Sequence, residues 1–300
     1  MADDMVHIQG GTLLMGSDEF YPDERPVHER TVASFEIDRY EVTNEDYARF
    51  VEDTGYLTVA ERELDPADFP GADPADLVPG AMVFTPTQGP VDLRNWRLWW
   101  RWQPGASWSH PAGPASSIED RLLHPVVHVA FEDVMAYAEW AGKRLPTEEE
   151  HEFAARGGLV GARFAWGQEI YPTGKAAANT WLGRFPYDNQ GVGDAAPVGS
   201  YEPNGYGLYD MTGNVWEWTS DYYTPRHLRP GDTPVDTGER ASLLAAASAE
   251  QGFPIPRRVL KGGSHLCSPD YCLRFRPAAR SPQAEDTGMS HIGFRCARDA

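Results

Sequence analysis

Two cysteines five residues apart, Cys267 and Cys272, supply two of the only three thiols in this 300-residue chain. They lie in K-G-G-S-H-L-C-S-P-D-Y-C-L-R-F-R-P-A-A-R, from Lys261 to Arg280. A gap of five suits no regular element. On a helix it turns the side chains roughly 140° apart, and on a strand it sends them to opposite faces. Ser268, Pro269 and Asp270 between them are turn formers, and a turn can bring the two sulfurs together. A close dithiol is open to three chemistries: a disulfide, half of a zinc site, or a two-thiolate cage for a soft ion such as Cu(I).

Other candidates are weaker. Asn204 to Asp221 reads N-G-Y-G-L-Y-D-M-T-G-N-V-W-E-W-T-S-D, where Asp210 and Glu217 could offer hard oxygens to Ca²⁺. The spacing is not that of an EF-hand, and on spacing alone a solvated acidic loop is the better reading. His265 and His291 could complete a zinc site with the thiols, but the His-x-Cys spacing is unlike a finger's. Five of the ten tryptophans, Trp96, Trp99, Trp100, Trp102 and Trp108, fall in one short stretch. They suit either an aromatic groove for a peptide or sugar, or a long loop anchored by large side chains, and the anchored loop is favoured. No phosphate loop, nucleophile elbow or dinucleotide fingerprint occurs, which leaves kinase, hydrolase and dehydrogenase readings without support.

These residues need a scaffold, and composition says what kind. The 41% hydrophobic and 24% charged content is ordinary for a globular protein. The 29 glycines and 25 prolines are spread along the chain and predict many tightly turned, irregular segments. A net charge of −19 argues against a nucleic-acid partner, because phosphate binding needs clustered Lys and Arg. No run approaches 18 apolar residues, so no membrane partner is expected. The opening residues lack a basic, then apolar, leader pattern, and three cysteines cannot form a disulfide framework. The expectation is a reducing compartment, the cytoplasm.

Helix signals cluster in the first half. Thr43 caps a helix with Tyr47, Phe50 and Val51 inward and Gly55 as its stop. A second is expected from Glu132 to Ala141, and Thr147 with Glu150 opens a third that ends near Gly157. Strands are expected at Thr12–Met15, Phe35–Ile37, Val126–Val129, Arg258–Leu260 and Ile292–Cys296. The Ala/Ser/Pro-biased stretch 231–256 reads as a surface excursion with a short helix around Leu243–Ala249. Strand signals at both ends predict one domain, residues 1–300, whose termini meet in a sheet.

In order along the chain, G-G-T-L-L-M-G-S, D-E-R-P-V-H, E-V-T-N, H-P-V-V-H-V and G-K-R-L-P-T-E-E-E-H-E-F-A-A-R-G-G resemble the formylglycine-generating enzymes, or sulfatase-modifying factors. So do A-N-T-W-L-G-R-F-P, N-G-Y-G-L-Y-D-M-T-G-N-V-W-E-W-T and the terminal G-F-R-C. Most blocks mark the wider superfamily, and the paired cysteines are the specific part. The resemblance implies an α+β fold, the C-type-lectin-related sulfatase-modifying factor fold, with little regular secondary structure. It implies oxidation of a cysteine in a C-x-P-x-R type motif of an unfolded sulfatase polypeptide or peptide to Cα-formylglycine, with O₂ consumed, in a bacterial cytoplasmic type of enzyme.

Carried over residue by residue, the resemblance makes Cys267 and Cys272 ligands of Cu(I), with Ser264, Tyr271 and Trp216 lining the oxygen and substrate pocket. It places Ca²⁺ on Asp210 and Glu217 with the carbonyls of Gly213 and Val215, reversing the preference drawn from spacing. A second calcium would use Asn179 and the carbonyl of Thr180, although Q-G-V-G-D-A-A-P-V lacks an Asp-Gly there and Asp188 or Asp194 would have to substitute. His151 stands where relatives often carry Trp, a packing change, and Cys296 is expected as a buried thiol. Two rivals stand beside this reading. A non-catalytic peptide- or glycan-binding lectin-like module leaves the thiols unused, and an iron sulfoxide synthase would need clustered histidines that the sequence does not show.

Overall fold

The computed structural model describes residues 4–68, 71, 73, 77–228 and 237–300. Strand β1 (Met5–Ile8) is followed by the hairpin of β2 (Gly11–Met15) and β3 (His28–Val32), then β4 (Phe35–Asp38) and helix α1 (Asn44–Thr54). A second hairpin pairs β5 (Gly80–Phe84) with β6 (Trp100–Pro104), ahead of helices α2 (Phe131–Trp140) and α3 (Glu148–Arg156). The short pair β7 (Gly183–Arg184) and β8 (Asp188–Asn189) precedes β9 (Trp216–Tyr222) and helix α4 (Thr237–Ser248). Strands β10 (Arg257–Lys261), β11 (Arg280–Ala284), β12 (Ile292–Gly293) and β13 (Ala297–Asp299) complete the order. This is the mixed, turn-rich α+β fold that the glycine and proline content predicts.

Both chain ends pair with one strand. β1 and β13 flank β4 antiparallel, so the termini meet in a sheet. The sheet that positions the site has the order β11-β10-β9-β12, with β12 parallel to β9.

Local chemistry explains the helices. Thr43 accepts the Asp46 amide and Gly55 closes α1 at φ 67°, while Thr147 and Glu150 form a capping box and Gly157 ends α3 at φ 56°. The expected strand Val126–Val129 does not form. His128 adopts φ 61°, which no extended strand tolerates, and Val126 and Val129 are instead buried anchors of a loop. The strand expected at Ile292–Cys296 stops at Gly293, and pairing resumes with β13. The tryptophan-rich stretch holds an unanticipated hairpin strand, β6. Trp99 and Trp108 are buried, and Trp96 and Trp102 are partly exposed.

The interior carries ion pairs as well as apolar side chains. Lys261 Nζ lies 3.0 Å from Glu152, Arg280 Nε 2.8 Å from Glu148, and Arg295 Nε 2.7 Å from Glu217, with all six side chains nearly or wholly sealed from water. Removing one member of such a pair leaves an uncompensated charge, which costs about 3–5 kcal/mol. Burial alone would raise the Glu152 carboxyl, but Lys261 and Arg156 outweigh it and hold it at about 2. Its contribution to stability is therefore complete above pH 4.5, the carboxylate's ordinary value, and is lost as pH falls toward 2. Urea midpoints measured down that range should fall steadily. Lys261→Met should lower stability by about 3–5 kcal/mol in the same assay at neutral pH.

Candidate functional site

Strand β10 ends at Lys261, and two glycines turn the chain out of the sheet. Gly262 and Gly263 sit at φ 90° and 76°. A side chain on Gly263 would come within 2.9 Å of the backbone of Arg274 and Phe275, so only glycine lets the outgoing and returning segments lie together. The Cys267 amide then bonds the Ser264 carbonyl at 2.9 Å. The Tyr271 and Cys272 amides share the Ser268 carbonyl at 3.2 and 2.8 Å. These turns through Ser268–Asp270 carry Cys272 back to Cys267.

The two sulfurs lie 3.3 Å apart. That is far longer than the roughly 2.05 Å of a disulfide, so both cysteines are free and the disulfide reading falls. The pair is asymmetric. Cys267 is buried, and burial with its bond to Cys272 pushes its thiol well up. Cys272 is partly exposed and its pKa is lowered, chiefly by the hydrogen bond from Cys267 and then by the Arg274 and Arg276 charges, against the opposing effect of burial. The two thiols are thus pushed in opposite directions, Cys267 up and Cys272 down.

Three expected neighbours surround the pair. The Ser264 amide points at the Cys267 sulfur at 3.5 Å. Tyr271 stacks on Phe185 with centroids 4.4 Å apart and meets Trp99 edge-on, and burial followed by the two cysteines raises its phenol to about 12. Trp216, at the start of β9, is buried in the same apolar cluster as Cys267 and Phe275. Sequence reasoning missed Trp99 and Phe185, which support Tyr271, and the segment around Tyr21, whose hydroxyl accepts the Leu273 amide at 3.1 Å. Only the aromatic run at Trp96–Trp108 signalled any of these.

The histidines do not join the thiols. His265 Nδ1 bonds the Asn214 carbonyl at 2.9 Å, and the His291 ring packs on Trp100. Among the described residues no group of three or more His, Cys, Asp or Glu is placed to hold a metal, so neither a zinc site nor a histidine-clustered iron site is assembled. The two soft donors, by contrast, suit a soft monovalent ion that accepts low coordination.

The residues of the first calcium set lie near one another, each with partners of its own, and Glu217 helps to raise the carboxyl of Asp210 after burial. Both Glu217 oxygens are taken by Arg295, at 2.7 and 2.8 Å, and His151 Nε2 adds a third contact at 3.1 Å. His151, fully buried, is a polar partner there as well as a packed side chain. Asp210 accepts the Gly199 amide at 2.7 Å, and Gly213 and Val215 flank Asn214, whose side chain bonds Glu41 instead. For the second set, Asn179 Nδ2 donates to the Asp194 carbonyl and to Asn214, leaving its Oδ1 buried and without a partner. That oxygen is of the hard type a cation such as Ca²⁺ takes, and Thr180 is its neighbour in the chain. Asp188 lies in the β7–β8 hairpin, and the Asp194 carboxylate is engaged by Arg121.

A family model described as "Sulfatase-modifying factor enzyme 1-like domain" matches residues 1–300. The chain belongs to the sulfatase-modifying factor family. It is 54% identical to the formylglycine-generating enzyme of Mycobacterium tuberculosis, over 100% of this chain and 99% of that protein. The formylglycine-generating enzyme of Mus musculus is 43% identical over 98% of this chain and 75% of its own length. Among solved structures, PvdO from Pseudomonas aeruginosa superposes with a TM-score of 0.64 at 26% identity, covering 99% of this chain and 94% of that one. For this sulfatase-modifying factor chain, the asymmetry of the thiol pair makes a direct forecast. In the metal-free protein, iodoacetamide should modify Cys272 before Cys267 or Cys296, because Cys272 alone combines access with a lowered pKa. Peptide mapping that found Cys267 labelled first would contradict the asymmetry.

Proposed function

We propose that this protein converts a cysteine in a C-x-P-x-R type motif of an unfolded sulfatase polypeptide to Cα-formylglycine, consuming O₂. One observation carries the reading: a free dithiol with sulfurs 3.3 Å apart, one of them partly exposed, in a chain related end to end to formylglycine-generating enzymes. Cys267 and Cys272 would hold Cu(I), which supplies oxygen chemistry and a coordination position for the substrate sulfur. The chain's own residues do the rest. Cys272, with its lowered pKa, gives up its proton more readily than buried Cys267. Tyr271, held by Phe185 and Trp99, forms one wall, and buried Trp216 and Ser264 exclude water on the inner side.

Electron counting sets a further requirement. Turning a CH₂–SH carbon into an aldehyde with release of H₂S yields two electrons, whereas reducing O₂ to water takes four. Two external thiols then supply the other two, joining as one disulfide. Free cysteines and this demand both suit a reducing compartment such as the cytoplasm. A purely binding lectin-like module would leave the asymmetric thiol pair without a role.

Turnover of a motif peptide, followed by mass spectrometry, should require Cu(I), air and a thiol reductant. Cys267→Ala and Cys272→Ala should each abolish it while leaving the fold intact by circular dichroism. Full turnover by either variant with copper present would end the proposal. Calcium belongs to the proposal at Asp210, Gly213, Val215 and Glu217, and at Asn179 and Thr180. If it binds there, a hundredfold excess over its dissociation constant should stabilise the fold by about 2.7 kcal/mol. A melting temperature unchanged by chelator would remove it.

A further inference from the structure

The thiol-bearing loop has little regular structure of its own: from Cys272 to Phe275 it is neither helix nor strand. Its position is set from the other end of the chain. Tyr21 Oη accepts the Leu273 amide at 3.1 Å, and the Arg274 guanidinium lies 4.0 Å from the centre of the Tyr21 ring. Arg274 also donates to Asp23 at 3.0 Å, and Tyr223 donates to the same Asp23 oxygen at 3.2 Å. Arg276 stands 3.7 Å from the Phe20 ring centre and grips both oxygens of buried Glu24. Four of the five residues Phe20–Glu24 thus hold the three residues that follow Cys272 or their near neighbours. The fifth, Pro22, starts the short 3₁₀ turn Pro22–Glu24 that arrays them.

We infer that Phe20–Glu24 is a clasp that fixes Cys272 against Cys267, with Tyr21 as the positioning residue that anchors Leu273. Leu273 is bonded to Cys272, so a shift of its amide moves the sulfur directly. The Tyr21 hydroxyl is itself raised by burial and then by the nearby Cys272 sulfur, which places it at the edge of the site. The consequence for catalysis rests on the function proposed above, but the clasp is tested without turnover.

In the full-length protein, Tyr21→Phe keeps a ring beneath Arg274 and removes only the oxygen that Leu273 needs. The first readout is the equilibrium of the Cys267–Cys272 dithiol with a glutathione buffer. The pair closes to a disulfide as oxidised glutathione takes two electrons and two protons and splits into two thiols. Loosening should lower the effective concentration of the pair about tenfold. The second readout is Cu(I) affinity by competition with a chelator, which should fall by a similar factor. Asp23→Asn, which weakens the hold on Arg274, should move both in the same direction. Tyr56→Phe serves as control, since it removes a hydroxyl bonded to Asp133 away from the thiols, and should leave both within twofold.

The clasp is overturned if Tyr21→Phe stays within twofold of wild type on both readouts, or if Tyr56→Phe shifts them equally. A wild-type chain that makes no aldehyde, while Tyr21→Phe still loosens the pair, would sink the proposed function and support the clasp. Normal turnover together with an unmoved pair in Tyr21→Phe would do the reverse.

Discussion

Glu24 and Arg276 form an ion pair with almost no access to water, between residues 252 positions apart. Charges so placed are tolerated only when each has its partner in place, since an isolated one costs several kcal/mol. The pair therefore forces the N-terminal turn and the loop behind the thiols into one arrangement. Lys261 with Glu152 and Arg280 with Glu148 do the same for the roots of that loop, at the end of β10 and the start of β11. A segment with few backbone ladder bonds is held by electrostatics where a sheet would otherwise hold it.

That construction suits a site that must be both ordered and open. Two sulfurs in contact need their backbones fixed within a narrow range, yet one sulfur must stay reachable. A strand would have sent the two side chains apart, and a helix would have turned them away from each other. The turn through Ser268–Asp270 solves the first requirement, and the partial exposure of Cys272 meets the second. The aromatic stack of Tyr271 on Phe185 adds a rigid border without adding a competing metal ligand.

Legibility in the sequence followed range. Thr43 with Gly55 and Thr147 with Gly157 act within a few residues, and both helices formed where those signals put them. The turn between the cysteines is equally local, and the sulfurs met. Val126–Val129 misled because a short apolar run reports burial, and this loop buries all four of its residues as an inner strand would. Part of the surroundings of Glu217 was illegible for a different reason. Its sequence neighbours offer oxygens suited to calcium, but Arg295 and His151, which claim it, lie 78 and 66 residues away. Tyr21 left no trace at all, because its role depends wholly on where the chain returns.

The strand order also has a bearing on how the molecule is made. β13 closes the sheet begun by β1 and β4, and Arg276, Arg280 and Arg295 neutralise acids laid down much earlier. A ribosome extrudes these acids long before their guanidinium partners, so a nascent chain holding only the earlier elements has strong reason not to collapse. Folding is thereby deferred until nearly all of the polypeptide has emerged, and a prematurely terminated product should be proteolytic waste with no partly working thiol site.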